Sequence, residues 1–370
     1  MSRLEDAYAL VAMSSLSRQE AAIAAHVEAT LRSASFLDVE RVGDNVVART
    51  TGSHATRVLV AGHLDTVPGD AGDAVIVGDE LRGVGACDMK GSLAVMLELA
   101  RDATPRSKEV TWVFYAREEI SRKESGLSEL AELRPDLLRA DVAILGEPTG
   151  GVVEAGCQGT LRVSVELVGK RAHTARPFTG LNAIHRLGVV IDRVANYSPR
   201  TVTIDGVSYT EQLQAVAVEG GVAANVVPDR ATLTINYRVA PDRTKDEAVA
   251  WLRTFLGEFD DLRDPLKDTY DRLGIPEGER TSYQDTFSVL DWAASAPPAL
   301  NDGRLRSLVE LTGQPPQGKA GWTDVATFHE LGVPATNFGA GDPLLAHRSD
   351  ELVTGEELAA YAETLGKWLA

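Results

Sequence analysis

The chain has 370 residues, of which 44% are hydrophobic and 25% charged, enough for two domains with filled cores and typical of a globular protein. Its 37 basic and 54 acidic side chains, net −17, exclude nucleic acid or an anionic membrane as the main partner. No segment carries the roughly 18 consecutive apolar residues of a membrane span.

The two cysteines, Cys87 and Cys157, form neither a disulfide framework nor a zinc-ribbon spacing, and the opening Met1-Ser-Arg-Leu-Glu-Asp6 is acidic where a signal peptide is basic. Both point to the cytoplasm.

Residues 4–13 and 18–33 have helical periodicity, and Ser17 with Glu20 has capping-box spacing ahead of Ile23, Val27 and Leu31. Leu37–Arg49 alternates as a hairpin. Val58–Ala61 is a short all-apolar strand suited to burial on both faces, and it ends in Gly62-His63-Leu64-Asp65.

The next segment, Gly83-Val-Gly-Ala-Cys-Asp88-Met-Lys-Gly91, is a glycine-broken turn leading into an apolar helix. Lys90 precedes Gly91, so the phosphate-binding P-loop spacing fails; Asp88 stands where a dinucleotide fingerprint needs its third glycine. By itself Asp88 reads equally well as a helix cap. The strand Val110–Ala116 then ends in Arg117-Glu118-Glu119. A helix near Leu127–Leu138 follows, and the strand Val142–Leu145 ends in Gly146-Glu147-Pro-Thr.

Alternating strands and helices predict a mainly parallel α/β sheet, in which function gathers at the carboxyl ends of the strands. Three strand ends deliver His63/Asp65, Glu118/Glu119 and Glu147 to that edge, and Asp88 opens the helix between two of them.

From about Gly159 the pattern changes. Leu161–Val168, strands near 201–206, 213–219 and 231–239, and Phe287–Leu290 alternate with helices over Asn182–Tyr197 and from the Thr244/Glu247 cap to Leu256. They predict an antiparallel sheet carrying two helices, a second α+β domain inserted into the first, with Asp260–Asp285 rich in loop. After Pro297-Pro298 the first pattern returns: helices over Leu305–Leu311 and Asp324–Leu331, a strand over Ala335–Phe338, a loop placing His347, and a final helix capped by Thr354 and Glu357.

His63-x-Asp65, Gly85-x-x-Asp88-Met-Lys-Gly, Glu118-Glu119, Gly146-Glu147-Pro-Thr and Ala346-His347 resemble, in order and spacing, the two-zinc aminoacylase/carboxypeptidase family. The resemblance covers nearly the whole chain. It implies a catalytic domain over residues 1–163 plus 297–370 and a ferredoxin-like lid and dimerisation domain over 164–296.

It further implies two Zn2+ ions, with Co2+ or Mn2+ able to replace one. Catalytic zinc takes N and O donors, and paired ions share a bridging group. Asp88 would be that bridge, His63 and Glu147 would complete one site, and Glu119 and His347 the other. Asp65 would orient His63 through its second ring nitrogen. Glu118 would take a proton from the attacking water and pass it to the leaving amine.

For Glu118 and Glu119 both to face the site, the strand must end at that pair, since neighbours on a strand point to opposite faces. A cis peptide at Asp88-Met89 is also implied. In the inserted domain the resemblance makes His173 an oxyanion donor reaching across a homodimer. Asn225 and Arg238 would grip a substrate carboxylate, and Thr323 and Gly341 would line the same pocket.

The substrate so implied is a small N-acyl amino acid bearing carboxylates. His26, His54, His185 and His329 fall outside every motif and read as structural or surface residues, and Cys87 as a small packing residue. Arg117 departs from the small or acidic residue the family places before its Glu pair; the sequence leaves open whether it tunes Glu118 or faces solvent.

Overall fold

The computed structural model describes residues 2–69, 71–257 and 285–370. The largest sheet has eight strands. Four parallel strands form its centre, in the order Glu109–Tyr115, Arg57–His63, Val142–Leu145 and Ala335–Asn337. The antiparallel hairpin of Leu37–Val42 and Asn45–Thr50 borders one side. Glu154–Ala155 and Gln317–Gly318 border the other.

Unbroken apolar runs form the central strands because both faces are covered. Val58 and Val60 pack with the helices Arg3–Val11, Ala21–Arg32, Gly91–Arg101 and Gly355–Leu369, whereas Leu59 and Ala61 pack with Gly126–Leu133 and Val325–Glu330. A strand buried on both sides has no polar alternation to show.

The antiparallel sheet has four strands in the order Gln212–Gly220, Arg230–Val239, Gly159–Val168 and Thr286–Ala293. Leu161, Val163, Val165 and Leu167 face a core shared with the helices Ala183–Ala195 and Lys245–Leu256. The stretch read as loop, Asp260–Asp285, lies outside the described residues except for Asp285.

Several local readings change. Thr201–Ile204 does not join the four-stranded sheet; it pairs with Val207–Thr210 as a separate hairpin. That hairpin carries Tyr209, whose hydroxyl donates to the Ala155 carbonyl at 2.7 Å. Val75–Val77, Glu80–Arg82 and Leu352–Thr354 form a three-stranded sheet too short to register as a pattern. The helix read over Leu127–Leu138 breaks at Arg134 into an α-helix and a 3-10 turn, where Pro135 cannot continue the ladder.

The Ser17/Glu20 capping box is absent. The second helix starts at Ala21 without a side-chain cap, since the Ser17 hydroxyl donates to Asp65 and Glu20 accepts from the Arg18 and Arg117 amides. The boxes at Thr244/Glu247 and Thr354/Glu357 are both present.

Candidate metal centre

His63 closes its strand, and Leu64 still donates its N–H to the Tyr115 carbonyl at 2.7 Å, so the neighbouring strand ends at the same level. Arg117, at φ 61°, then turns left-handed and breaks the alternation that would have sent Glu118 and Glu119 to opposite faces. The Asp65 carboxylate receives both following amides, Glu118 N–H at 2.9 Å and Glu119 N–H at 3.1 Å. It also accepts from the Ser17 hydroxyl at 2.7 Å.

Asp65 therefore organises the glutamate turn. Asp65 meets the second ring nitrogen of His63 chiefly through its main chain: Nδ1 lies 3.0 Å from the Asp65 main-chain carbonyl and 3.7 Å from its carboxylate.

Asp88 does not cap the helix that follows it. The helix begins at Gly91 with no side-chain cap, and the Asp88–Met89 peptide is cis. Met89 tucks over the strand ends: a Cβ at Gly62 would lie 2.5 Å from its methyl, and one at Gly146 2.8 Å. The glycines preceding His63 and Glu147 thus make room for the Asp88 turn to sit between them.

The Asp88 carboxylate faces two imidazoles. Oδ1 is 3.0 Å from His63 Nε2 and Oδ2 is 3.5 Å from His347 Nε2. His347, in turn, lies 3.0 Å from Glu119. His63, Asp88 and Glu119 each offer a ligand atom within 4.8 Å of the others. His63 is 1% exposed and His347 53%, so one side of the cluster is sealed and the other opens to solvent.

The charges respond to this proximity. Burial opposes protonation of His63, yet its bonds to Asp65 and Asp88 hold it well above the usual imidazole range. His347 is pushed up to about 10 by Asp88 and Glu119. Burial works against the ionised Asp88, but His347 and His63 hold it well below the usual carboxylate range. Burial, then the charge of Asp88, lifts Glu147 to about 7; burial, then Glu147, lifts Glu118 well above an ordinary glutamate.

Glu147 Oε1 is buried without a hydrogen-bond partner among the described residues. A buried bare carboxylate oxygen beside imidazoles and two further acids is costly to the fold, and a divalent cation is the partner that would satisfy it. The donor set of N and O atoms suits zinc or another divalent first-row metal.

The remaining candidates lie elsewhere. His173 and Val226 are paired in a two-stranded sheet, and the Asn225 carbonyl accepts from Thr174, so His173 and Asn225 are neighbours. His173 Nδ1 accepts from the Ala175 N–H at 3.0 Å, which leaves Nε2 as the donor nitrogen. Arg238 donates to Thr160 on the adjacent strand at 2.6 Å and has no carboxylate within ion-pair distance among the described residues. None of these three bonds to the ligand cluster.

Thr323 is buried, its hydroxyl donating to Asn337 at 2.9 Å. Gly341, at φ 90°, abuts the back of the Asp88 turn, where a Cβ would lie 2.6 Å from Cys87 Sγ. Arg117 turns its side chain away from the cluster, onto Glu129 at 2.6 Å and the Glu124 carbonyl at 2.7 Å.

Sequence reasoning missed the supporting groups. Lys319 donates to the Pro148 carbonyl at 3.0 Å and pairs with Glu154 at 2.7 Å, fixing the turn after Glu147. Glu20 receives the Arg117 amide, and Glu351 receives the Cys87 and Asp88 amides. The one available signal was that Glu351 follows His347 by four residues in the same loop.

Fold and cluster together define a metal-dependent amidohydrolase of the α/β class. The chain belongs to peptidase family M20/M25/M40, whose model matches residues 59–370. It is 46% identical over 364 residues to a Mycobacterium tuberculosis protein, DapE, provisionally assigned as a succinyl-diaminopimelate desuccinylase; the match covers 98% of this chain and 96% of that one. The Corynebacterium glutamicum succinyl-diaminopimelate desuccinylase is 39% identical, covering 98% and 94%.

Among solved structures, a tripeptidase from Staphylococcus aureus superposes with a TM-score of 0.75 at 19% identity, covering 99% of this chain and 97% of that one. A dinuclear metal-binding M20 peptidase from Bacillus subtilis superposes with a TM-score of 0.67 at 16% identity, covering 99% and 96%. These two similarities speak to the fold.

Proposed function

We propose that the protein hydrolyses the N-succinyl amide of N-succinyl-LL-2,6-diaminopimelate, giving succinate and LL-2,6-diaminopimelate, a step of lysine and diaminopimelate synthesis in the cytoplasm. Identity of 39% and 46% to desuccinylases over nearly the whole chain supports this substrate. An acetylornithine deacetylase from Myxococcus xanthus is 28% identical, which keeps deacylation of another N-acyl amino acid as the alternative.

One observation carries the chemistry: a single carboxylate, Asp88, addresses two histidines through its two oxygens. In this reading Asp88, together with His63 and Glu147 and with Glu119 and His347, would hold two divalent cations, zinc in the simplest case. Bound there, the cations would polarise the amide carbonyl and lower the pKa of water.

The chain's own groups do the rest. Glu118, on the turn that Asp65 holds, takes a proton from the attacking water and returns it to the amide nitrogen as the C–N bond breaks. The hydroxyl stays on the acyl carbon, so the acid and the amine leave in balance. His173 Nε2–H steadies the oxyanion, and Arg238 with Asn225 grips a substrate carboxylate.

In the same reading residues 164–296 form an inserted lid that also dimerises. Its support is the edge strand Gln212–Gly220, where Val216 and Val218 are exposed beside Ile184 and Val189 of the adjoining helix. Such an edge is a template for a second copy, which would bring His173 to the partner's site.

The test is turnover of N-succinyl-LL-2,6-diaminopimelate by zinc-loaded protein beside N-acetylornithine and a dipeptide. The succinyl compound should have the highest kcat/KM, and equal or faster turnover of N-acetylornithine would overturn the assignment.

A further inference from the structure

Glu351 is 1% exposed, in the loop that also carries His347. Its Oε1 accepts two consecutive amides, Cys87 N–H at 2.8 Å and Asp88 N–H at 2.9 Å. Its main-chain carbonyl accepts from Gly83 at 3.0 Å. One residue thus clasps both ends of the turn that presents Asp88. Its other oxygen, Oε2, is buried with no hydrogen-bond partner among the described residues.

As a stability device this arrangement is poor. It buries a second carboxylate beside Asp88, leaves one oxygen bare, and lacks a direct cation: the nearby Lys90 ammonium donates to the Met13 carbonyl at 2.7 Å. Burying an unpaired carboxylate costs several kcal/mol unless something else requires it. What the arrangement does achieve is directional. With both amides at the head of Asp88 fixed, the aspartate main chain cannot swing, and its two oxygens stay aimed at His63 and His347.

Asp65 treats the Glu118 and Glu119 amides in the same way, so two of the three turns delivering acids to the cluster have a buried carboxylate on their main chain. Partners that orient ligands in this manner set metal affinity.

We infer that Glu351 is the positioning residue for Asp88, so that one loop both supplies His347 and holds the opposite side of the cluster in register for cations. This rests on the two-cation reading above. The essential feature is the acceptor oxygen at its distance from the two amides.

Two variants separate acceptor from charge. E351D keeps the charge but withdraws the oxygen by one methylene; E351Q keeps the oxygen and removes the charge. Metal-free wild type and variants would be titrated with zinc chloride by calorimetry, with circular dichroism and Tm of the metal-free proteins recorded beside it.

E351D should bind zinc about 10–100-fold more weakly than wild type, and E351Q should stay close to wild type. A purely structural staple would lower Tm in E351D without moving zinc affinity, and that result overturns the inference. So does E351Q losing as much affinity as E351D, because charge would then be what matters. Wild type taking up no zinc would overturn the functional reading and this inference together, whereas zinc uptake by wild type with E351D unaltered overturns the inference alone.

Discussion

In the eight-stranded sheet the candidate ligands sit just past strand ends, and buried carboxylates on their main-chain amides hold two of the turns: Asp65 below Glu118 and Glu119, Glu351 below Asp88. Beside the four-stranded sheet, His173 on a two-residue ladder and Asn225 just before its partner strand are exposed, and Arg238 holds one hydroxyl and no carboxylate among the described residues. The first region is held by hydrogen bonds within the chain itself. The second presents donors with few partners among the described residues, and the proposed function makes the first a rigid reaction centre and the second a substrate-gripping surface.

Removing Glu118 should have the largest effect on rate while leaving the candidate metal ligands in place. Glu118→Ala should lower kcat by about 10²–10⁴-fold while metal analysis still finds two ions per chain. Loss of metal in that variant would show Glu118 to be a ligand and redraw the cluster.

His173→Ala tests whether the second region takes part in chemistry at all, with kcat expected to fall about 10²–10³-fold and Tm unmoved. Mixing it with Glu118→Ala under subunit exchange should restore activity, since one site of each mixed dimer would hold both an intact Glu118 and an intact His173. A mixture that stays inactive, or a fully active monomer, would break the role of His173 across subunits.

Arg238→Ala should act on binding. Losing a charge-assisted pair worth about 1.5–3 kcal/mol raises KM by about 10–100-fold for carboxylate substrates, with kcat less affected and metal content as in wild type. If metal content fell with it, the two regions would not be separable.

The smallest effect belongs to the frame. Thr354→Ala removes the hydroxyl that accepts the Glu357 amide, and thermal unfolding should report a loss of about 1 kcal/mol with kcat/KM unchanged.

The ligand candidates were legible because each occupies a short motif whose order along the chain matches a family, and the two later capping boxes were legible because a cap joins residues three apart. The Ser17/Glu20 box failed on the same spacing. Asp65, 48 residues from Ser17, takes its hydroxyl, and Glu20 accepts the amide of Arg117, 97 residues away, beside that of Arg18. A local pattern states what a side chain can bond, and tertiary contact decides what it does bond.

By itself the sequence determined the alternation of elements, the apolar runs that demand burial on both faces of the central strands, and the identity and order of His63, Asp88, Glu118, Glu119, Glu147 and His347. The first two are properties of composition and short spacing, and the candidate site residues follow from the order of motifs shared with a family; all survive without knowledge of the fold. Only the tertiary structure decided that Asp88 addresses two imidazoles rather than capping a helix, that the Asp65 carboxylate sits closer to the amides of the glutamate turn than to His63, and that Glu351 clasps Asp88 from 263 residues away. Hydrogen bonds between loops depend on which chain ends meet at the sheet edge, and no local period records that meeting.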